Sequence, residues 1–185
     1  MTAWELPTTA EVAGQAFAIR SDYRAVLDAL SALADPELTR DEQAWACIQI
    51  LYPDWEHLPD YTAAFTAAMT FINLGCPVPS DQPERPRLMD WQKDATLIAP
   101  GIDHVLGYSC RRCEYLHWWE FIGAYMALGR GPFSEVVNIR EKRRKGKKLE
   151  PYEREFADQH EDLISLPGKE LSTEEAEFFK QLGVE

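Results

Sequence analysis

The chain has 185 residues, of which 45% are hydrophobic, 27% charged and 11% aromatic, proportions that suit one folded globular core and exclude a disordered or fibrous protein. Its formal net charge of -12 argues against a general nucleic-acid binder, because phosphate contacts need clustered cations. No apolar run approaches the roughly 20 residues of a membrane span, the start "MTAWELPTTAEVAGQ" lacks the basic and apolar segments of a signal peptide, and the cysteines at 47, 76, 110 and 113 are too scattered for a disulfide framework; a cytoplasm with reduced thiols is expected, and no membrane partner.

Residues 1–18 read as an extended N-terminal segment, and helices follow. "SDYRAVLDALSALAD" places Tyr23, Val26, Leu27, Leu30, Leu33 and Ala34 on one face, with Ser21 or Asp22 as the cap and Pro36 beyond the end. Thr39 and Glu42 have capping-box spacing, with Trp45, Ile48, Leu51 and Tyr52 on one face behind them and the helix ending near Pro53. "LPDYTAAFTAAMTFINLG" gives Tyr61, Phe65, Ala68, Met69 and Ile72, closed by Gly75. Residues 76–87, rich in proline, can be neither helix interior nor central strand.

From Asp90 the helical period resumes through Trp91, Ala95, Ile98, Ile102 and Val105, and Pro100-Gly101 predicts a kink or break. In "CEYLHWWEFIGAYMALG", Tyr115, Trp118, Trp119, Ile122, Tyr125, Met126 and Gly129 share a helical face flanked by Leu116 and Phe121, the pattern of a helix in the middle of a bundle. A helix is expected from Pro132 or Ser134, and another carrying Tyr152, Phe156 and Leu163 on a largely acidic surface. Ser172 and Glu175 form a last capping box before "EEAEFFKQLG". The fold expected is all-α, a compact bundle of about six to eight helices without a substantial sheet.

Three features invite a chemical reading. Cys110, Cys113 and His117 have the spacing of half a zinc motif. Positions seven apart on one helix are separated by about 10.5 Å of rise, so Cys110 and His117 meet at a metal only if the chain bends at or before Cys113. The fourth ligand would have to be His104, Glu120 or Cys76. No second pair completes the motif, and the core reading is preferred. His117 and Glu120 could share a hydrogen bond, but no nucleophile elbow, phosphate-binding glycine loop or metalloprotease motif accompanies them, so no catalytic residue, enzyme activity or cofactor is expected. The block "REKRRKGKK" holds seven cations and one carboxylate in nine residues. Arg140, Lys142, Arg143, Arg144, Lys145, Lys147 and Lys148 are therefore either a solvated, salt-bridged helix end answering the acidic segment that follows, or a docking surface for an acidic partner or RNA. With no aromatic stacking platform interleaved, the first is favoured.

The stretches "SDYRAVLDALSALADPELTRDEQ", "FTAAMTFINLG", "MDWQKDATLI", "CEYLHWWEFIGAYMALG" and "NIR", in that order, resemble the bacteriophage gene product 15 family. The similarity runs from about Ile19 to Leu149. Its most specific part is Tyr115-Leu116-His117-Trp118-Trp119-x-Phe121, preceded by Asp90-x-x-x-Asp94. Pro100-Gly101 departs from the continuous helix of relatives, and residues 150–185 match only loosely. Three parts follow: residues 1–18, a helical core of 19–149, and an acidic helical segment of 150–185. The resemblance implies a small helical protein of tailed phages or prophages that acts in the host cytoplasm as a tail assembly chaperone, binding the tape measure protein or tail tube subunits; a homo-oligomer is left open. A zinc- or nucleic-acid-binding regulatory module and a small structural virion component are the alternatives.

Overall fold

The computed structural model describes residues 4–77 and 87–166; the capping box at Ser172 and most of the proline-rich loop lie outside them. Among the described residues the fold is predominantly helical, with one two-stranded hairpin. In chain order the elements are β1 (Thr9–Val12), β2 (Gln15–Ala18), α1 (Tyr23–Leu33), α2 (Arg40–Leu51), a 3-10 turn at Trp55–His57, α3 (Tyr61–Ile72), α4 (Ala95–Leu106), α5 (Trp118–Met126), α6 (Pro132–Arg144), α7 (Pro151–Gln159) and α8 (Glu161–Ile164). No helix among these residues is long and apolar enough to cross a membrane.

The N-terminal segment is a β-hairpin rather than simply extended. Ala13 (φ 49°) and Gly14 (φ 80°) both take positive φ, the requirement of the tight turn whose twist matches two paired strands. The hairpin packs on α3 through Ala10 and Val12, which are buried.

Helix starts follow the expected side-chain chemistry. The Asp22 carboxylate accepts from the Arg24 N–H (2.9 Å) at the start of α1. Thr39 and Glu42 form the reciprocal capping box of α2. Pro132 and Pro151 open α6 and α7, positions where a missing N–H is no loss.

Three helices differ from expectation. Residues 91–94 are turns and α4 begins only at Ala95; it then runs unbroken through Pro100 and Gly101. Proline removes one helical hydrogen bond, but the glycine beside it has a packing reason, since a Cβ at Gly101 would stand 2.7 Å from the Leu128 Cδ2. On α3 the buried residues are Ala64, Ala68 and Phe71, while Tyr61 is exposed. This helix is apolar on nearly every side, so period alone cannot choose the inner face. In α5 the helix begins at Trp118, so Tyr115 lies outside it, and Tyr115 and Met126 are exposed; Trp118, Phe121, Ile122 and Ala124 supply the core.

Two clusters of buried side chains hold the chain together. The larger joins α1 to α5 and the hairpin. The smaller holds Val136, Ile139, Ala157 and Ile164 from α6, α7 and α8, with Leu97 of α4 against it. α4 therefore serves both, sending Ile98 and Ile102 one way and Leu97 the other.

Candidate functional site

The family-like motif around the tandem tryptophans begins with a short backbone pairing. Residues ahead of α1 meet residues ahead of α5: the Tyr23 N–H donates to the Leu116 carbonyl (2.9 Å), and the Trp118 N–H to the Ser21 carbonyl (2.7 Å). The Asp22 carboxylate also accepts from the Leu116 N–H (3.1 Å). Tyr115, though exposed, reaches the Ser21 hydroxyl at 2.8 Å.

His117 is completely enclosed and caps α5. Its Nδ1 accepts from the Trp119 N–H (3.0 Å), which leaves Nε2 as the donor to the Pro7 carbonyl (2.9 Å). One imidazole thus fixes the start of α5 and anchors the chain entering the hairpin. Both ring nitrogens are spent on backbone, so neither is left for Glu120, the side chain whose spacing would have allowed a hydrogen bond.

Trp118 and Trp119 terminate a different helix. The last four carbonyls of a helix have no partner within it. In α3 each finds one: Met69 O from the Asn73 N–H (3.0 Å), Thr70 O from Gly75 (2.9 Å), Phe71 O from Leu74 (3.2 Å) and from the Trp119 indole (2.9 Å), and Ile72 O from the Trp118 indole (2.9 Å). The indole planes also pack against Phe71, Trp91 and Phe121. Gly75 has φ +81° and stands so close that a Cβ would lie 3.3 Å from Trp119 Cη2. The motif is therefore a clamp that joins α5 to the end of α3.

Beside that clamp an open groove of about 910 Å³ runs between β1 and α3, with Ala63, Ala67, Phe71, Leu74 and Trp119 among its lining. Thr62, Thr66 and Thr70 add one edge. Thr66 and Thr70 donate their hydroxyls to the carbonyls one turn back, at 2.9 Å each, which spends a polar atom on the helix itself. The groove is accordingly more apolar than its composition. Glu11 and Asp60 are the charged residues lining it among those described.

The zinc candidates do not converge. The Cys113 thiol donates to the Cys110 carbonyl (2.9 Å), and His117 is engaged at both nitrogens. Burial, and then a hydrogen bond and charge from Asp103, push the Cys110 thiol up to about 11, opposite to the thiolate a metal requires. No group of three or more His, Cys, Asp or Glu side chains able to hold a metal occurs among the described residues.

The cationic block is divided between interior and surface. Arg140 is buried and forms a two-pronged ion pair with Asp94, at 2.7 and 2.8 Å, so it presents nothing to a partner. Lys142 reaches Glu153 (2.5 Å), Arg143 reaches Glu161 (2.7 Å), and Lys145, just past the end of α6, reaches back to Glu141 (2.5 Å). Arg144, Lys147 and Lys148 are exposed. Two of its seven cations, Lys142 and Arg143, thus answer carboxylates of the acidic helices after it.

Glu153 is enclosed, although Lys142 is partly open to water. The Lys142 ammonium, the Glu150 N–H and the Asn138 amide hold its carboxyl below the ordinary 4.5. A depressed carboxylate contributes stability that is complete above its unfolded value and disappears as pH falls through its folded value. The melting-temperature gap between the wild type and Glu153→Gln should therefore be widest above pH 4.5 and close as the solution is acidified below it. A gap that stays constant down to pH 2 would show that the carboxylate's charge contributes nothing.

Sequence reasoning did not find the groove or the Asp94–Arg140 pair. Both halves of that pair do lie in the stretches that carried the resemblance, "MDWQKDATLI" and "NIR". The chain belongs to the family described as Bacteriophage Gp15 protein, which matches residues 4–166. That span includes the hairpin and α7–α8 as well as the helices between them. No curated protein and no solved structure matches the chain.

Proposed function

We propose that this phage protein is a non-enzymatic tail morphogenesis factor of the assembly-chaperone kind, working in the host cytoplasm by binding the tape measure protein, tail tube subunits or both. Membership of a phage family supports a structural or morphogenetic role. The observation that carries the finer reading is the open apolar groove beside the tryptophan clamp: a chaperone of an aggregation-prone segment needs exposed apolar surface held on a rigid frame.

The test is co-expression with the tape measure protein encoded nearby, followed by size-exclusion chromatography with light scattering. The expected result is a soluble complex of fixed stoichiometry where the tape measure alone aggregates, and the same trace reports whether this protein self-associates. Separate elution with an aggregated tape measure would reject the role. Retention of the protein in purified virions would instead identify a structural component.

A further inference from the structure

The groove has a second property besides its apolar floor. Thr9, Ala10 and Glu11, three successive residues of β1, all line it. Side chains alternate between the two faces of a strand, so three in a row reach one groove only where the strand presents its edge.

Hydrogen-bond register identifies that edge as unpaired. The Ile19 N–H donates to the Thr8 carbonyl (2.9 Å), which makes Thr8 and Ile19 a hydrogen-bonded pair. With the period of two in an antiparallel ladder, the next such pairs are Ala10 with Phe17 and Val12 with Gln15, both in the observed register. The N–H and C=O of Thr9 and Glu11 therefore point away from β2, and no partner for them occurs among the described residues. An open strand edge beside an apolar trough is a template for one more strand.

We infer that the groove binds an extended segment of a partner protein, with alternating apolar and basic side chains, which adds as a third strand to the free edge of β1. Each part of that occupant follows from the site. The unpaired main-chain groups call for extended main chain. The trough of Ala63, Ala67, Phe71 and Trp119 takes the apolar side chains on one face. The basic ones answer Glu11 and Asp60, in a groove with no cation among its described lining residues, on a chain of net charge -12. This deepens the proposed assembly role and rests on it only for the partner being a protein.

The probe is a synthetic heptapeptide of alternating valine and lysine, capped at both ends. Its controls are the same peptide N-methylated at alternate residues and a valine–glutamate version. Binding to the full chain is followed by amide NMR shifts and hydrogen exchange. The expected result is saturable binding below about 1 mM, with the largest shifts and slowed exchange at Thr9 and Glu11. N-methylation and Glu11→Lys should each weaken it by about tenfold or more. Glu11 is exposed and its N–H is not part of the hairpin ladder, so the variant should keep the wild-type circular dichroism; Thr66→Arg, which fills the trough from α3, is the second variant.

Equal binding of the N-methylated peptide, shifts confined to the acidic helices, or no saturable binding would overturn the inference. So would a concentration-dependent dimer protected at Thr9 and Glu11, which would make a second copy the occupant. If the peptide fails to bind the wild-type chain while the tape measure complex survives Glu11→Lys, the strand edge is rejected and the chaperone role stands. If the peptide binds at the edge but no tail protein does, the site stands and the role falls.

Discussion

Replacing Arg140 by alanine is expected to lower stability by about 3 to 5 kcal/mol, a drop in melting temperature of roughly 6 to 20 °C for a chain of this size. A guanidinium has five N–H donors, and here all five are used: Nε on Ile164 O (3.0 Å), Nη1 on Leu88 O (3.1 Å) and Asp94 Oδ2 (2.7 Å), Nη2 on Asp94 Oδ1 (2.8 Å) and Leu163 O (2.6 Å). Alanine would leave the Asp94 carboxylate enclosed with one remaining donor, the Asp90 N–H (2.9 Å). Lysine should rescue little, because an ammonium cannot reproduce the planar fork. The double variant Asp94→Leu/Arg140→Met removes both charges and should be more stable than Arg140→Ala, since an unpaired buried charge is worse than none. Thermal unfolding of the set, with Asp94→Leu and Arg140→Met added as the single variants of a double-mutant cycle, checks this; a loss below about 1 kcal/mol in Arg140→Ala would mean that water reaches the pair.

Trp118→Ala should cost about 3 to 5 kcal/mol through the cavity it leaves. The more informative variant is Trp118→Phe, which keeps an aromatic ring but leaves the Ile72 carbonyl without the indole donor, at about 1 to 3 kcal/mol. Trp119→Phe should lose less, because the Phe71 carbonyl keeps the Leu74 N–H and Trp119 is only half-buried. Urea denaturation orders the two. Equal losses from both phenylalanine variants would show that the indole hydrogen bonds do not distinguish the positions and that ring volume alone matters.

Local rules made the helix starts at Ser21 or Asp22, at Thr39, and at Pro132 or Ser134 legible in the sequence, because a cap or an N-terminal proline acts within a few residues of its own position. The helical fold class followed from period. The hairpin was not legible: its strands are four residues each, too short for alternation to register, and its turn places Ala13, a residue with no special tolerance of positive φ, ahead of the telling Gly14. Faces failed where helices were apolar all round, as in α3, or where a cap lay inside the apolar run, as with His117. The chemistry of Cys110, Cys113 and His117 could be doubted from spacing, but only the bonds from His117 to Pro7 and Trp119 show what that histidine does. The division of the cationic block into one interior arginine, three ion-paired residues and an exposed remainder required knowing that Asp94 and Arg140, 46 positions apart, meet. The groove was invisible for the same reason, since its walls come from β1, α3 and α5.

The shell around Arg140 also sets an order of events during synthesis. Its partners at Leu88 and Asp94 are made before it, but those at Leu163 and Ile164 come later, so a nascent chain that has emerged only as far as α6 holds a guanidinium with two donors still unmatched. That corner can close only once α8 has left the ribosome. The hairpin, α1–α3 and the residues that pair with them through α5 have no such dependence and are free to assemble first. A stalled or prematurely released chain ending before residue 163 would thus carry the groove residues of β1, α3 and α5 on a frame whose Arg140 corner is still unfinished.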